Sequence, residues 1–95
     1  MRVFSVNYDL NSPGQRYNGL EERISRSYPD RIKGLKSTWL IHTSDSANDV
    51  YRKLSPALDA NDRILVNRVT YEHSGFLDNN VVTWLKSRMK QAATR

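Results

Sequence analysis

Asp9 is the residue of this chain whose type and position point most directly to chemistry. It ends the run Val3-Phe4-Ser5-Val6-Asn7-Tyr8-Asp9-Leu10-Asn11, a β-type stretch leading into Ser12-Pro13-Gly14. A carboxylate at the end of a first strand, where the chain turns toward a helix, is a common place for a metal ligand or a general base. Aspartate before a turn is equally an ordinary hydrogen-bonding turn residue, so the position leaves both readings open. A hard cation takes roughly six or more oxygen ligands. One carboxylate per chain is a sparse site for it, and metal work at Asp9 therefore needs a second copy of the chain. Asn7, Asn11 and Ser37 are the polar residues that could surround such a site, although each also suits a strand end or a turn.

The other reactive residue types narrow the field. The chain has no cysteine, which excludes disulfides, thiolate metal sites and cysteine nucleophiles. His42 and His73 stand 31 positions apart with no partner at helical spacing, so a shared metal requires the fold to bring them together. His73 is also a candidate loop base. No serine sits in a nucleophile-elbow motif, and the four glycines form no phosphate-cradling loop. Hydrolase and nucleotide-fold readings built on those motifs fail.

Charge supplies a different signal. Fifteen Lys and Arg against ten Asp and Glu give a net charge of +5 and a pI of about 9.8. From Arg23 to Lys36 there are five bases (Arg23, Arg26, Arg31, Lys33, Lys36) and one acid, Asp30. Such a segment projects a positive field suited to phosphates, with an affinity that falls steeply with salt. The ordinary alternative is a solvated basic surface. The candidate nucleic-acid contacts are Arg16, Arg31, Lys33 and Lys36, with Tyr8 as the aromatic for a base to stack on. At their spacings Trp39, Trp84 and the other tyrosines are better explained by core packing.

These residues must be held by a small fold. Ninety-five residues make one domain with a limited core, for which a partner subunit adds useful burial. No apolar run nears the roughly 20 residues of a membrane span, and the N-terminal residues lack the pattern of a signal peptide, so the expected location is the cytoplasm. Residues 2 to 8 alternate as a strand, with Val3, Ser5 and Asn7 on one side and Phe4, Val6 and Tyr8 on the other. Tyr17, Leu20, Ile24 and Tyr28 then recur at helical intervals until Pro29, with Ser12 and Pro13 as a possible helix start or Gln15 as a later one. Residues 31 to 43 exceed a normal strand, which predicts a break or hairpin near Lys36-Ser37. A second helix is predicted with Ser46 and Asp49 as a capping box and Pro56 near its end. A strand from Arg63 to Tyr71 and a C-terminal helix over residues 78 to 90 follow, with residues 91 to 95 expected to fray. The order is that of a split βαβ unit: a ferredoxin-like α+β fold, with a four-stranded antiparallel sheet, two helices on one face and an added C-terminal helix.

Three segments carry a family resemblance: Val6-Asn7-Tyr8-Asp9-Leu10, Lys36-Ser37-Thr38-Trp39-Leu40-Ile41 and Asp59-Ala60-Asn61-Asp62-Arg63-Ile64-Leu65-Val66. In them the chain resembles the CRISPR-associated protein two family. It is most similar to that family's small stand-alone, SinR-like relatives, through Asn11-Ser12-Pro13-Gly14-Gln15-Arg16-Tyr17. The resemblance implies a ferredoxin-like homodimer and, in some members, a strand-end aspartate that binds a divalent metal for phosphodiester cleavage. Here that residue is Asp9, the metal Mg2+ and the substrate DNA or RNA, in an antiviral setting. Other members are structural or DNA-bridging dimers. Leu35 and Trp39 depart from the family pattern, and a helix over residues 78 to 90 replaces a further strand, which favours a stand-alone role. The leading expectation is a nucleic-acid-binding homodimer with magnesium-dependent phosphodiesterase activity as its sharper form. The alternative is a non-catalytic dimer that captures a protein partner or a small nucleotide, as in phage-host conflict or a toxin-antitoxin pair.

Overall fold

The computed structural model describes the backbone of residues 1–11 and 15–93, and the side chains of residues 1–11 and 19–89. Strand β1 (Arg2–Asp9) is followed by helix α1 (Gln15–Ser27), strands β2 (Arg31–Leu35) and β3 (Thr38–Thr43), and helix α2 (Ala47–Leu54). Strand β4 (Arg63–Arg68) and helix α3 (Asn79–Ala93) complete the order. The sheet runs β2-β3-β1-β4 with every neighbouring pair antiparallel. This is the ferredoxin-like arrangement that the βαββαβ order implies, with α3 appended.

The alternation of β1 creates two different sheet faces. Phe4, Val6 and Tyr8 point to one side and pack with Leu20 and Ile24 of α1, Tyr28 just beyond it, Ile41 of β3, and Val50 and Leu54 of α2, all buried. Three- and four-residue spacing puts Leu20 and Ile24 on one stripe of α1. Proline, lacking an N–H, follows Tyr28 and stops the helix. α2 begins with the expected capping box: Asp49 N–H donates to Ser46 Oγ at 3.1 Å, and Ser46 N–H to Asp49 Oδ2 at 3.3 Å. Such a cap stabilises a helix by about 1 kcal/mol. Pro56 lies in the 3₁₀ turn Ser55–Ala57 that ends this helix.

The other face is divided. Val3 and Leu40 are buried beneath Val81, Trp84 and Leu85 of α3, with Ile32, Val69, Leu77 and Met89 around them. Farther along the same face, opposite Leu40, Thr38, Asn67 and Leu65, β1 presents Ser5 and Asn7, which are only half-buried. α3 is fixed at the covered end by Arg88, whose guanidinium reaches both oxygens of Asp30 (Nη2 to Oδ1 2.6 Å) and lies 4.6 Å from the Trp84 ring centre. His42 Nδ1 meets the same carboxylate at 3.1 Å. The Arg88 hydrogen bonds, then that of His42, hold the Asp30 carboxyl below its usual range despite opposing desolvation.

Several boundaries differ from expectation. The break in the long β segment falls at Lys36-Ser37 as predicted, but β4 stops at Arg68 rather than Tyr71. Val69 makes one further backbone bond, to Val3 O at 2.8 Å, before the chain leaves the sheet. α3 continues to Ala93. The expected capping residues Ser12 and Pro13 lie outside the described residues, as do Thr94 and Arg95.

Candidate nucleic-acid interface

Asp9 ends β1 on the divided face, exposed and directly across from Arg63 of β4. The Arg63 guanidinium donates instead to the carbonyls of Ala60 at 3.1 Å and Asp62 at 2.8 Å. The neighbouring polar residues are committed elsewhere. Asn11 N–H donates to Asp62 Oδ1 at 2.9 Å and Asn11 Nδ2 to Asn61 O at 2.6 Å, tying the end of β1 to the turn before β4. Asp62 also accepts the Asp59 N–H at 2.8 Å. Ser37 contributes its carbonyl, accepting the Tyr8 N–H at 3.1 Å.

The donor set required for a magnesium ion is therefore not assembled among the described residues of one chain. Among the described residues no group of three or more His, Asp or Glu side chains is placed to hold a metal. His42 serves the Asp30 anchor, whereas His73 lies in the loop after β4, where its Nδ1 meets Thr70 O. The two histidines do not form a pair.

The basic segment is also used differently from the sequence expectation. Arg31 and Lys33 lie opposite Ile41 and Trp39 on the helix-covered face of β2. Arg31 Nη1 donates to Tyr28 O and Pro29 O at 3.4 and 3.3 Å. Lys33 Nζ pairs with Glu21 at 2.6 Å and sits 5.9 Å from the Trp39 ring centre. Lys36 stays exposed in the β2–β3 turn. The side chain of Arg16 lies outside the described residues. Tyr8 is corrected outright: at 6% exposure its ring belongs to the main core and is not available for stacking on a base. The even-numbered positions of β1 face the helices, so the alternation itself carried that outcome.

What the fold does open is a cavity of about 990 Å³ over the uncovered end of the divided face. Its floor is a hydrogen-bonded cluster. Ser5 Oγ donates to Asn67 Oδ1 at 2.9 Å, Asn7 Nδ2 reaches Ser5 Oγ at 3.0 Å and Asn67 Oδ1 at 3.2 Å, and Thr38 Oγ1 donates to Asn7 Oδ1 at 3.0 Å. One wall is α3, with Lys86; another is the loop 69–77, with Tyr71, Glu72, His73 and Phe76. Phe76 is 100% exposed, and Tyr71 is anchored by its hydroxyl to the carbonyl of Met89.

A bulge in β2 completes the rim. The register jumps between Lys33 and Leu35, so that Leu35 pairs with Thr38 and joins the open face, where it is 57% exposed. Gly34 makes the bulge compact, since a Cβ there would stand 3.4 Å from the Leu40 side chain. Sequence reasoning missed Asn67, Tyr71, Phe76 and Lys86. The signal was the passage from Val3 to Ser5 and Asn7 on one face of a central strand, where polar side chains are unfavourable unless bonded or used.

No family model and no curated protein matches this sequence. In three dimensions the chain is similar to a hypothetical protein, TT1823, from Thermus thermophilus, known from a crystal structure. The two are 18% identical with a TM-score of 0.61 over 81% of this chain and 94% of that one, a likeness that shows a shared fold.

Proposed function

We propose that this chain is a cytoplasmic, nucleic-acid-binding homodimer of the CRISPR-associated protein two type, in which any magnesium-dependent cleavage would need the Asp9 carboxylates of two copies together. The observation that carries the reading is where the positive charge is left. Among the described residues, Lys33, Lys53 and Arg88 are paired with carboxylates. Arg68 and Lys86, which line the cavity, and Lys36, exposed in the adjoining turn, are in no such pair, a state they share with Arg2, Arg23, Arg26, Arg31, Arg52 and Arg63 elsewhere among the described residues. Bases in this state neutralise phosphates on binding and release condensed counterions. The sequence resemblance supports the same partner class. In this reading the second copy pairs along the outer edge of β4, one of the two edge strands of the sheet together with β2. An edge strand is a ready template for pairing with another chain.

Titration of labelled single- and double-stranded DNA and RNA across salt tests the partner. Affinity should fall steadily with salt, and Lys36→Ala with Lys86→Ala should reduce the slope by about 2, near 1 per phosphate contact. Binding that ignores salt, or no binding at 50 mM salt, defeats the reading. Sedimentation equilibrium tests the dimer independently; a monomer throughout the micromolar range removes that part alone.

A further inference from the structure

We infer that the cavity over Ser5, Asn7, Thr38 and Asn67 is a seat for one unpaired nucleobase of a single strand, stacked on Phe76. This rests on the nucleic-acid reading above and names which form of nucleic acid the site takes.

Three observations converge on it. The floor lies at the middle of the sheet, on a central strand, yet presents amides and hydroxyls rather than aliphatic side chains. Their mutual bonds leave hydrogen-bonding capacity toward the cavity. Asn67 Nδ2 has one contact, to Arg68 O at 3.5 Å, which is at the limit of a hydrogen bond, and Thr38 Oγ1 still has lone pairs to offer. A side-chain amide offering both a donor and an acceptor matches the polar edge of a base.

Next, the rim is aromatic and apolar where a ring would lie. Phe76 has no packing partner to explain its full exposure, and Leu35 and Leu65 are 57% and 64% exposed on the two sides of the polar floor. A planar heteroaromatic ring with a polar edge satisfies this mixture, whereas an aliphatic ligand would strand the amides. The charge on the rim is also suitable. Lys86 lines the cavity from α3, and Lys36 stands in the adjoining turn, close to where the phosphates flanking a seated base would pass. Glu72 is the acid of the wall, and it lies on the loop rather than on the floor.

A duplex cannot present a base to such a seat, because both faces of each base are stacked and its Watson–Crick edge is paired. The site therefore selects single strands through stacking and edge contacts, with the sheet as platform.

The test uses the intact chain and two labelled 12-mers of equal charge, one of thymidines and one with abasic sugars throughout. The thymidine strand should bind at least 10-fold more tightly at the same salt. Phe76→Ala should weaken the thymidine strand by roughly 5- to 150-fold, the loss expected for one stacked base, and leave the abasic strand unchanged. Phe76→Trp should restore binding, and Phe76 has no packing whose loss would unfold the chain. Equal, salt-dependent affinity for both strands would overturn the base seat while leaving the phosphate reading standing. No binding of either strand at 50 mM salt would overturn both.

Discussion

Val3 and Asn7 share one strand and one face, four residues apart, and meet opposite surroundings. Val3 lies under the Trp84 and Leu85 side chains of α3, at 3% exposure, in a patch closed by a charged clamp. Asn7 stands half-buried in a polar cluster with an open cavity above it. Both stretches are equally regular β-sheet, so backbone pairing does not distinguish them. The difference comes from the length and position of one helix. α3 covers the end of the face where the sequence is aliphatic and leaves the end where it is polar, so each side-chain type has the environment its hydration favours. The aliphatic packing is concentrated at one end of the face and the open polar cavity at the other.

The largest test of this contrast is Trp84→Ala. Removal of a buried aromatic should cost about 3–5 kcal/mol in denaturant unfolding. A loss below 1 kcal/mol would mean that α3 is not docked and that the two ends are alike. The paired exchange comes next. Val3→Asn buries an amide beneath α3 and should cost about 2 kcal/mol or more, whereas Asn7→Ala, beside the open cavity, should cost about 1 kcal/mol. Equal costs would erase the distinction.

A third test uses pH, because the covered end depends on an ion pair. Hydrogen bonds from Arg88 hold the Asp30 carboxyl below its ordinary range, and those from Lys53 and Tyr28 do the same for Asp45. A depressed folded-state value adds stability above the unfolded-state pKa, and that stability is lost as pH falls through the folded-state value. Unfolding free energy should therefore be level above about pH 5 and decline below about pH 4. Asp30→Asn should flatten part of that decline; an unchanged acid limb would show that the clamp contributes nothing. The smallest effect is expected at the opposite end, where exposed Asp9→Ala should change stability by no more than about 0.5 kcal/mol.

Local chemistry made much of this fold legible before the structure. Alternation in residues 2 to 8 defined β1 and its two faces, the Ser46-Asp49 box marked the start of α2, and the excess length of residues 31 to 43 required a hairpin. The order of elements then led to the ferredoxin-like sheet. The candidate site was less legible, because sequence proximity is a poor guide to shared surface. Arg31 and Lys33 are near Lys36 in the chain but face the helices, whereas Asn67 and Phe76 reach the cavity from beyond β4. The bulge at Gly34 turns Leu35 to the other face and cannot be inferred from a two-residue period. Tyr8 is the opposite case, since the two-residue period already set it beside Phe4 and Val6 and its position next to Asp9 was the misleading signal.

The place of β1 between β3 and β4 also has a bearing on how the chain folds. The pairing that brings Ser5 to Asn67 joins residues 62 apart, whereas the β2–β3 hairpin closes across a two-residue turn. Distant contacts bear their loop-closure entropy before they return any binding energy. The hairpin should thus gain protection from hydrogen exchange early in refolding, and the β1–β4 ladder late. The cavity floor straddles that late ladder, so the cavity should come into being only at the final commitment of the chain to its native topology.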